Sequence, residues 1–254
     1  GLYLAIDGSN ADQDIDIGLF DFAAVDVTGT GTGKFAIVNT TDEDNSLQID
    51  GTTIFRTGTA ANFNVFLGET AFNNNDGVQN IGIGYQAGYY NDVTGAVWYG
   101  DKNVYIGYQS GKGGAGGNTG YNNVAIGSRS LLANTSGSRN FALGNFSLIS
   151  NTIGTYNVAI GDSTSYSNTK GYNNVAVGSY AGYYNEEGFG NVFIGRQSGG
   201  YCSGAVGNIF KNVMIGNYSG YNVTTGADSN VFIGNNSGYN QTTNDNLLII
   251  DNQD

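Results

Sequence analysis

The sequence predicts an all-β protein, a parallel β-solenoid or β-roll of about ten coils, and three observations carry the prediction. The first is a five-letter unit, N-V-x-I-G, seen at Asn123–Gly127, Asn157–Gly161, Asn174–Gly178, Asn191–Gly195 and Asn230–Gly234. The second is its period. With the glycine of the unit as position 0, it recurs at Gly68, Gly84, Gly107, Gly127, Gly144, Gly161, Gly178, Gly195, Gly216 and Gly234, and the separations are 16, 23, 20, 17, 17, 17, 17, 21 and 18 residues. The third is the alternation of β-branched residues at −3 and −1 around a different residue at −2, in a chain with 42 Gly, which fits short strands and excludes helix. A basal unit of 17 residues is too short to bury its own apolar pair, so successive units must stack. At about 4.8 Å per coil, ten coils make a rod roughly 50 Å long.

Residues 1–60 break the period and form an acidic, β-rich N-terminal region ahead of a solenoid domain over 61–254. Leu2–Ile6, Ile15–Val27, Lys34–Val38 and Leu47–Phe55 read as strands between Gly/Asp/Thr turns. Asp12, Asp14 and Asp16 alternate along one strand face and, with Asp7 and Asn10, offer oxygen ligands to Ca²⁺. Their spacing does not match a twelve-residue Ca²⁺ loop, and the favoured reading is a solvated strand guarded by charge, with no metal.

Within the solenoid each column has its own physical role. Asn stands at −4 in all ten units, as Asn64, Asn80, Asn103, Asn123, Asn140, Asn157, Asn174, Asn191, Asn212 and Asn230. An amide there can bond corner backbone groups and its equivalents above and below, so this column is expected to be a structural ladder. The −3 and −1 residues are expected to rest on their equivalents in the next coil, the glycine to supply a corner with positive φ, and the Ala, Ser or Thr at +3 to fit a narrow interior. A second Asn at +7 (Asn75, Asn91, Asn134, Asn151, Asn168, Asn185) is expected at the opposite corner, and Gly near +10 (Gly137, Gly154, Gly171, Gly188) closes the coil.

In a repeat protein specificity resides in the exceptions. Three connections exceed the basal length: Asn91–Lys102, Lys112–Tyr121 and Gly199–Lys211. The first carries Trp98 and Tyr99, whose rings could stack on a sugar or cover the roll. At −2 the residue is Ala in the middle units but Phe66, Tyr105, Phe193, Met214 and Phe232 elsewhere. These point away from the −3 and −1 pair and are expected to be packed by the long connections, with another chain as the alternative cover. At +5, tyrosine recurs as Tyr89, Tyr166, Tyr183, Tyr221 and Tyr239, a row that either stabilises the stack or meets a ligand.

Composition narrows the chemistry. With no His and a single Cys (Cys202), the chain holds neither a Ser-His-Asp nor a Cys-His centre, and no cofactor is expected. The net charge is −12, of which residues 1–50 contribute −9 (ten acids, one base), so nucleic-acid and anionic-membrane partners are disfavoured. No apolar run approaches the length of a bilayer span, so no membrane insertion is expected. Opening at Gly1, the chain is expected to be a processed product or part of a longer one. A carboxylate pair is the remaining catalytic route. The solenoid's acids occupy different positions in their units, and the adjacent Glu186 and Glu187 would point to opposite sides of a strand.

The motif N-V-A-I-G followed by a small residue at +3 resembles the repeats in the heads of trimeric autotransporter adhesins. The fuller units Ile83–Gly95 (IGYQAGYYNDVTG) and Val177–Gly188 (VGSYAGYYNEEG) are more similar to those of bacteriophage tail fibres and other distal tail proteins, as is the closing stretch Asn235–Asp254. The resemblance implies a homotrimer associated with other fibre or tail proteins, in a virion or at a cell surface. Its implied function is structural and non-enzymatic: to span distance and contact a glycan or protein receptor on a bacterium. Candidate contact residues are Trp98, Tyr99, Tyr89, Tyr183, Tyr221 and Tyr239. The alternatives are a bacterial adhesin head or an extracellular structural filament, and after those a polysaccharide-depolymerising tailspike.

Overall fold

The computed structural model describes residues 46–49, 52–57, 64–72, 77–91, 100–114, 116–201, 208–224, 226–242 and 244–251, all within one compact unit, Asp44–Asp254. The strands are β1 (Ser46–Ile49), β2 (Thr52–Thr57), β3 (Val65–Leu67), β4 (Ile81–Ile83), β5 (Val104–Ile106), β6 (Val124–Ile126) and β7 (Phe141–Leu143). They continue as β8 (Val158–Ile160), β9 (Val175–Val177), β10 (Val192–Ile194), β11 (Val213–Ile215), β12 (Val231–Ile233) and β13 (Leu248–Ile250). All 13 lie in one sheet in chain order. From β3 to β13 every pair is parallel and in register, with Val158 opposite Val175 and Ile160 opposite Val177, so each strand is one wall of one coil. The fold is a parallel β-solenoid.

Two elements differ from the sequence reading. The expected strand Leu47–Phe55 is a hairpin, β1 against β2, whose second strand pairs antiparallel with β3 at the first coil. The Asp50-Gly51 pair between the two strands is a hairpin signal. An eleventh parallel strand, β13, follows the tenth unit. Leu247 and Asp251 replace the Asn and Gly of the motif there, which hides it from the repeat.

The faces of the strands are the reverse of the expected assignment. The −2 residue is the buried one, from Phe66, Tyr105, Ala125, Ala142, Ala159 and Ala176 to Phe193, Met214 and Phe232. The −3 and −1 pair lies outside, half-buried or exposed, at 40% for both Val65 and Leu67. The reason is width. A 17-residue coil encloses a lumen that takes one side chain from a three-residue strand, and alternation then puts the other two outside.

The +3 and +4 residues complete the lumen, and in most coils their volume complements that of the −2 residue. Where the strand supplies Ala125 or Ala142, the turn supplies buried Leu131 or Leu148. Where the strand supplies Tyr105, Phe193, Met214 or Phe232, the +4 residue is Gly111, Gly199, Gly220 or Gly238. A Cβ on any of these would lie within 2.3–2.6 Å of that large side chain. In the first two coils the balance runs between neighbours. Phe66 and Phe72 share one coil, Gly82 and Gly88 the next, and the Phe72 ring occupies the space that both glycines leave.

The glycine at position 0 is required twice over. Its φ runs from +123° to +139°, outside the range side chains adopt, and a Cβ on Gly144 would lie 2.3 Å from the Gly161 carbonyl oxygen. Non-glycine residues also turn left-handed at −5 and +2, for example Arg139, Tyr156, Gln109 and Gln197, at a cost of roughly 1–2 kcal/mol each. The +2 amides are satisfied in return, each donating to the +1 carbonyl of the preceding coil, as Gln197 does to Ser179 at 3.0 Å.

The −4 asparagines are buried and use both ends of the amide. Asn140 Oδ1 accepts from the Asn157 backbone N–H at 3.0 Å, while Asn140 Nδ2 donates to the Gly154 carbonyl at 2.8 Å. The same acceptor pattern runs from Asn64 to Leu247. Of the +7 asparagines, Asn91, Asn134, Asn151 and Asn185 close on the same carbonyls and not on an opposite corner, while Asn75 lies outside the described residues. Gly137 O accepts from both Asn123 and Asn134, and Gly154 O from both Asn140 and Asn151, which uses both lone pairs.

Candidate functional site

Tyrosines of the turn segment form a continuous array over the coils from β8 to β12, on the outside of the roll. Tyr166 stacks on Tyr183 at 4.8 Å, Tyr183 meets Tyr180 and Tyr184, and Tyr184 meets Tyr201 edge-on at 5.0 Å. The array passes to Tyr221 at 5.8 Å, and Tyr221 stacks on Tyr239 at 5.1 Å. Tyr218 closes the far end, 5.3 Å from Tyr221 and 6.2 Å from Tyr239. Parallel stacking at the coil spacing means that these rings spend faces on one another, so the array offers mainly ring edges and hydroxyls. Burial first, then the neighbouring phenols, raises the pKa of Tyr183 and Tyr221, so both stay protonated donors at neutral pH.

At the far end the array borders an open depression of about 550 Å³ lined by Gln197, Tyr218, Tyr221, Asn236 and Tyr239. Arg196 lies over the Tyr218 ring at 5.3 Å and donates to its hydroxyl at 2.6 Å, which leaves that hydroxyl's own proton to be donated elsewhere. Gln197 Oε1 is shielded from solvent and has no hydrogen-bond partner among the described residues.

Of the sequence-derived contact residues, Tyr183, Tyr221 and Tyr239 are brought together here. Tyr89 is not. It packs edge-on against Tyr90 at 4.6 Å, and Lys112, Leu132 and Ile149 occupy the column between it and Tyr166. Trp98, Tyr99, Asp12, Asp14 and Asp16 lie outside the described residues. The roots of the first two long connections are adjacent, with Asn118 N–H donating to Tyr90 O at 2.6 Å and Gly100 N–H to Thr119 O at 3.2 Å. Sequence reasoning followed the +5 column alone and so missed Tyr180 and Tyr218 at +2 and Tyr184 and Tyr201 at +6. The recurring spacing of three (Tyr180/Tyr183, Tyr218/Tyr221) was the available signal.

Several acids have structural partners. Asp101 Oδ1 accepts from Val78 N–H at 2.8 Å, Asp228 Oδ1 from Phe210 N–H at 2.9 Å, and Asp245 Oδ1 from Asp228 N–H at 2.6 Å. Glu187 pairs with Lys170 on the surface at 2.7 Å. No group of three or more acid or Cys side chains placed to hold a metal occurs among the described residues. No protein-family model, curated protein or solved structure matches this chain.

Proposed function

We propose that the chain is a non-catalytic, adhesin-type fibre protein, a phage tail-fibre component that assembles as a homotrimer alongside other tail proteins. It spans distance on a virion and contacts a glycan or protein receptor on a bacterium. The observation that carries this reading is the outer face of the sheet. Two rows of Val, Ile, Leu and Phe run along it from β3 to β13, many of them more than a third exposed. Such rows form a contiguous apolar strip along the sheet, the kind of surface that marks an interaction site on a soluble protein and that a stable interface, at ~800 Å² per partner, buries. The rows repeat at the coil spacing, so the surface that matches them along their whole length is another copy of the same sheet. Binding of a receptor by such an assembly gains from repetition, since three identical rods multiply weak contacts.

A bacterial adhesin head would use the same architecture. An extracellular structural filament would use it equally.

The test is retention of the purified chain on immobilised bacterial envelope preparations, with release of reducing sugar followed in parallel. Retention without release is expected. Release of oligosaccharides would replace this reading with a depolymerising tailspike, and failure to be retained on any envelope would remove the receptor role.

A further inference from the structure

We infer that the depression formed by Gln197, Tyr218, Tyr221, Asn236 and Tyr239 is a subsite for one unit of a neutral, hydroxyl-rich saccharide. The inference rests on the proposed receptor-contacting role and names the place and the chemistry of the contact.

Four observations converge on this spot. First, the same column behaves differently elsewhere in the rod. At +2, Gln109 Nε2 donates to Gln86 Oε1 at 2.9 Å and Arg129 Nε approaches Gln109 Oε1 at 3.4 Å, so those amides satisfy one another up the stack. Gln197 stands between Tyr180 and Tyr218 in that column and lines the depression, and its Oε1, turned away from solvent, has no partner among the described residues. Rotation of this amide about its last side-chain torsion would bring the unsatisfied acceptor into the depression, where a ligand hydroxyl could donate to it.

Second, the Tyr218 hydroxyl already accepts from Arg196, so its proton is directed away from the guanidinium. Acceptor and donor side by side match a sugar hydroxyl, which donates and accepts at once. Third, three rings meet here at different inclinations: Tyr221 and Tyr239 are near parallel at 25°, and Tyr218 stands at 72° to Tyr221. That forms a corner for the C–H face of a pyranose, with hydroxyls around its rim. Fourth, the lining has no charged side chain. Arg196 is occupied with the Tyr218 ring and hydroxyl, so the lining offers an acidic polymer no cation of its own. The Tyr221 phenol remains a neutral donor, because burial and then the neighbouring phenols raise its pKa.

The test uses the full chain, Gln197→Leu and Tyr239→Ala on immobilised neutral oligosaccharides built from glucose, mannose or galactose, beside uronic-acid oligomers, with retention on bacterial envelopes measured for each protein. The +2 position already holds Thr70, Phe146 and Tyr180 at positive φ, so Leu at 197 suits the backbone, and circular dichroism checks both variants. The expected result is binding of at least one neutral oligosaccharide, weakened about tenfold or more by each variant, as when a buried polar group loses its partner or a stacked ring is removed. Three results would overturn the inference: neutral binding unchanged in both variants, binding of uronic-acid oligomers alone, or no binding to any oligosaccharide. If the inference fails while all three proteins are retained equally on envelopes, the receptor role stands and its contact lies elsewhere. If the unmutated chain is retained on no envelope, the receptor role itself fails.

Discussion

The coils centred on Gly127 and Gly144 fill their lumen from the turn, with Leu131 and Leu148 over Ala125 and Ala142, whereas those centred on Gly195, Gly216 and Gly234 fill it from the strand, with Phe193, Met214 and Phe232 facing glycines. Between them, the coils of Gly161 and Gly178 carry small residues at both positions. They are completed by Thr164 and by the Phe193 ring, which reaches the space beside Gly182. What is held constant is the filled volume over neighbouring coils, and not the position or the coil that provides it. The lumen tolerates no gap, and a second large group only where the next coil makes room for it, as Gly82 and Gly88 do for Phe72. On the outside, the tyrosine array lies over the strand-filled coils of Gly195, Gly216 and Gly234 and over the coils of Gly161 and Gly178 before them.

The largest expected effects come from emptying either kind of lumen. Phe193→Ala should cost about 3–5 kcal/mol and Leu148→Ala about 2–5 kcal/mol, read as the shift in denaturant midpoint. Phe193→Ala should be the worse of the two because its ring serves two coils. Next in size is overpacking. Ala142→Phe alone should cost about 1–3 kcal/mol, and Leu148→Gly added to it should return part of that loss by reproducing the Phe193/Gly199 arrangement. Strictly additive costs in that double-mutant cycle would end the constant-volume account.

Removal of a ladder amide should cost about 1–3 kcal/mol in either region, since both use the same bonds. Asn157→Ala, in the middle, and Asn191→Ala, beside Phe193, should therefore agree closely. A large difference would mean that the ladder is not uniform.

A smaller effect concerns pH. Tyr105 is wholly buried, and burial pushes its pKa well above the ordinary tyrosine value of 10.0. The folded state then holds its proton where the unfolded state releases it, so the contribution to stability is complete below pH 10 and declines as pH rises above it. Tyr105→Phe should flatten that decline without altering stability's pH dependence near neutrality. The smallest expected change is at the surface pair: Lys170→Ala should leave the unfolding midpoint where it was, because both partners are exposed.

Much of this architecture is legible in the letters. The period, the Asn column and the glycine corner follow from spacing alone, because each is a backbone requirement that one residue type meets. The direction of the strand faces is not legible by the rule that apolar means inside, since Val158 and Ile160 are larger and more apolar than the Ala159 that they flank. The exchange between −2 and +4 is written plainly in Phe66/Phe72 against Gly82/Gly88, but has meaning only once both positions are known to share a lumen. β13 escaped because Leu247 and Asp251 replace the two residues that define the motif. The Gln197 depression escaped for a different reason: it draws on columns +2 and +5 of three coils, and an orphaned amide is a property of neighbours, not of sequence.

The reversal of the faces bears most directly on assembly, because it turns two rows of core-like residues into an outer surface. The decisive measurement is the molar mass of the purified chain in solution by multi-angle light scattering, across a range of concentrations. A constant mass of three chains is the result this account predicts, with the Val and Ile rows buried between copies. A stable single chain of 26.6 kDa would contradict it, since those rows would then be left in water along the length of the rod.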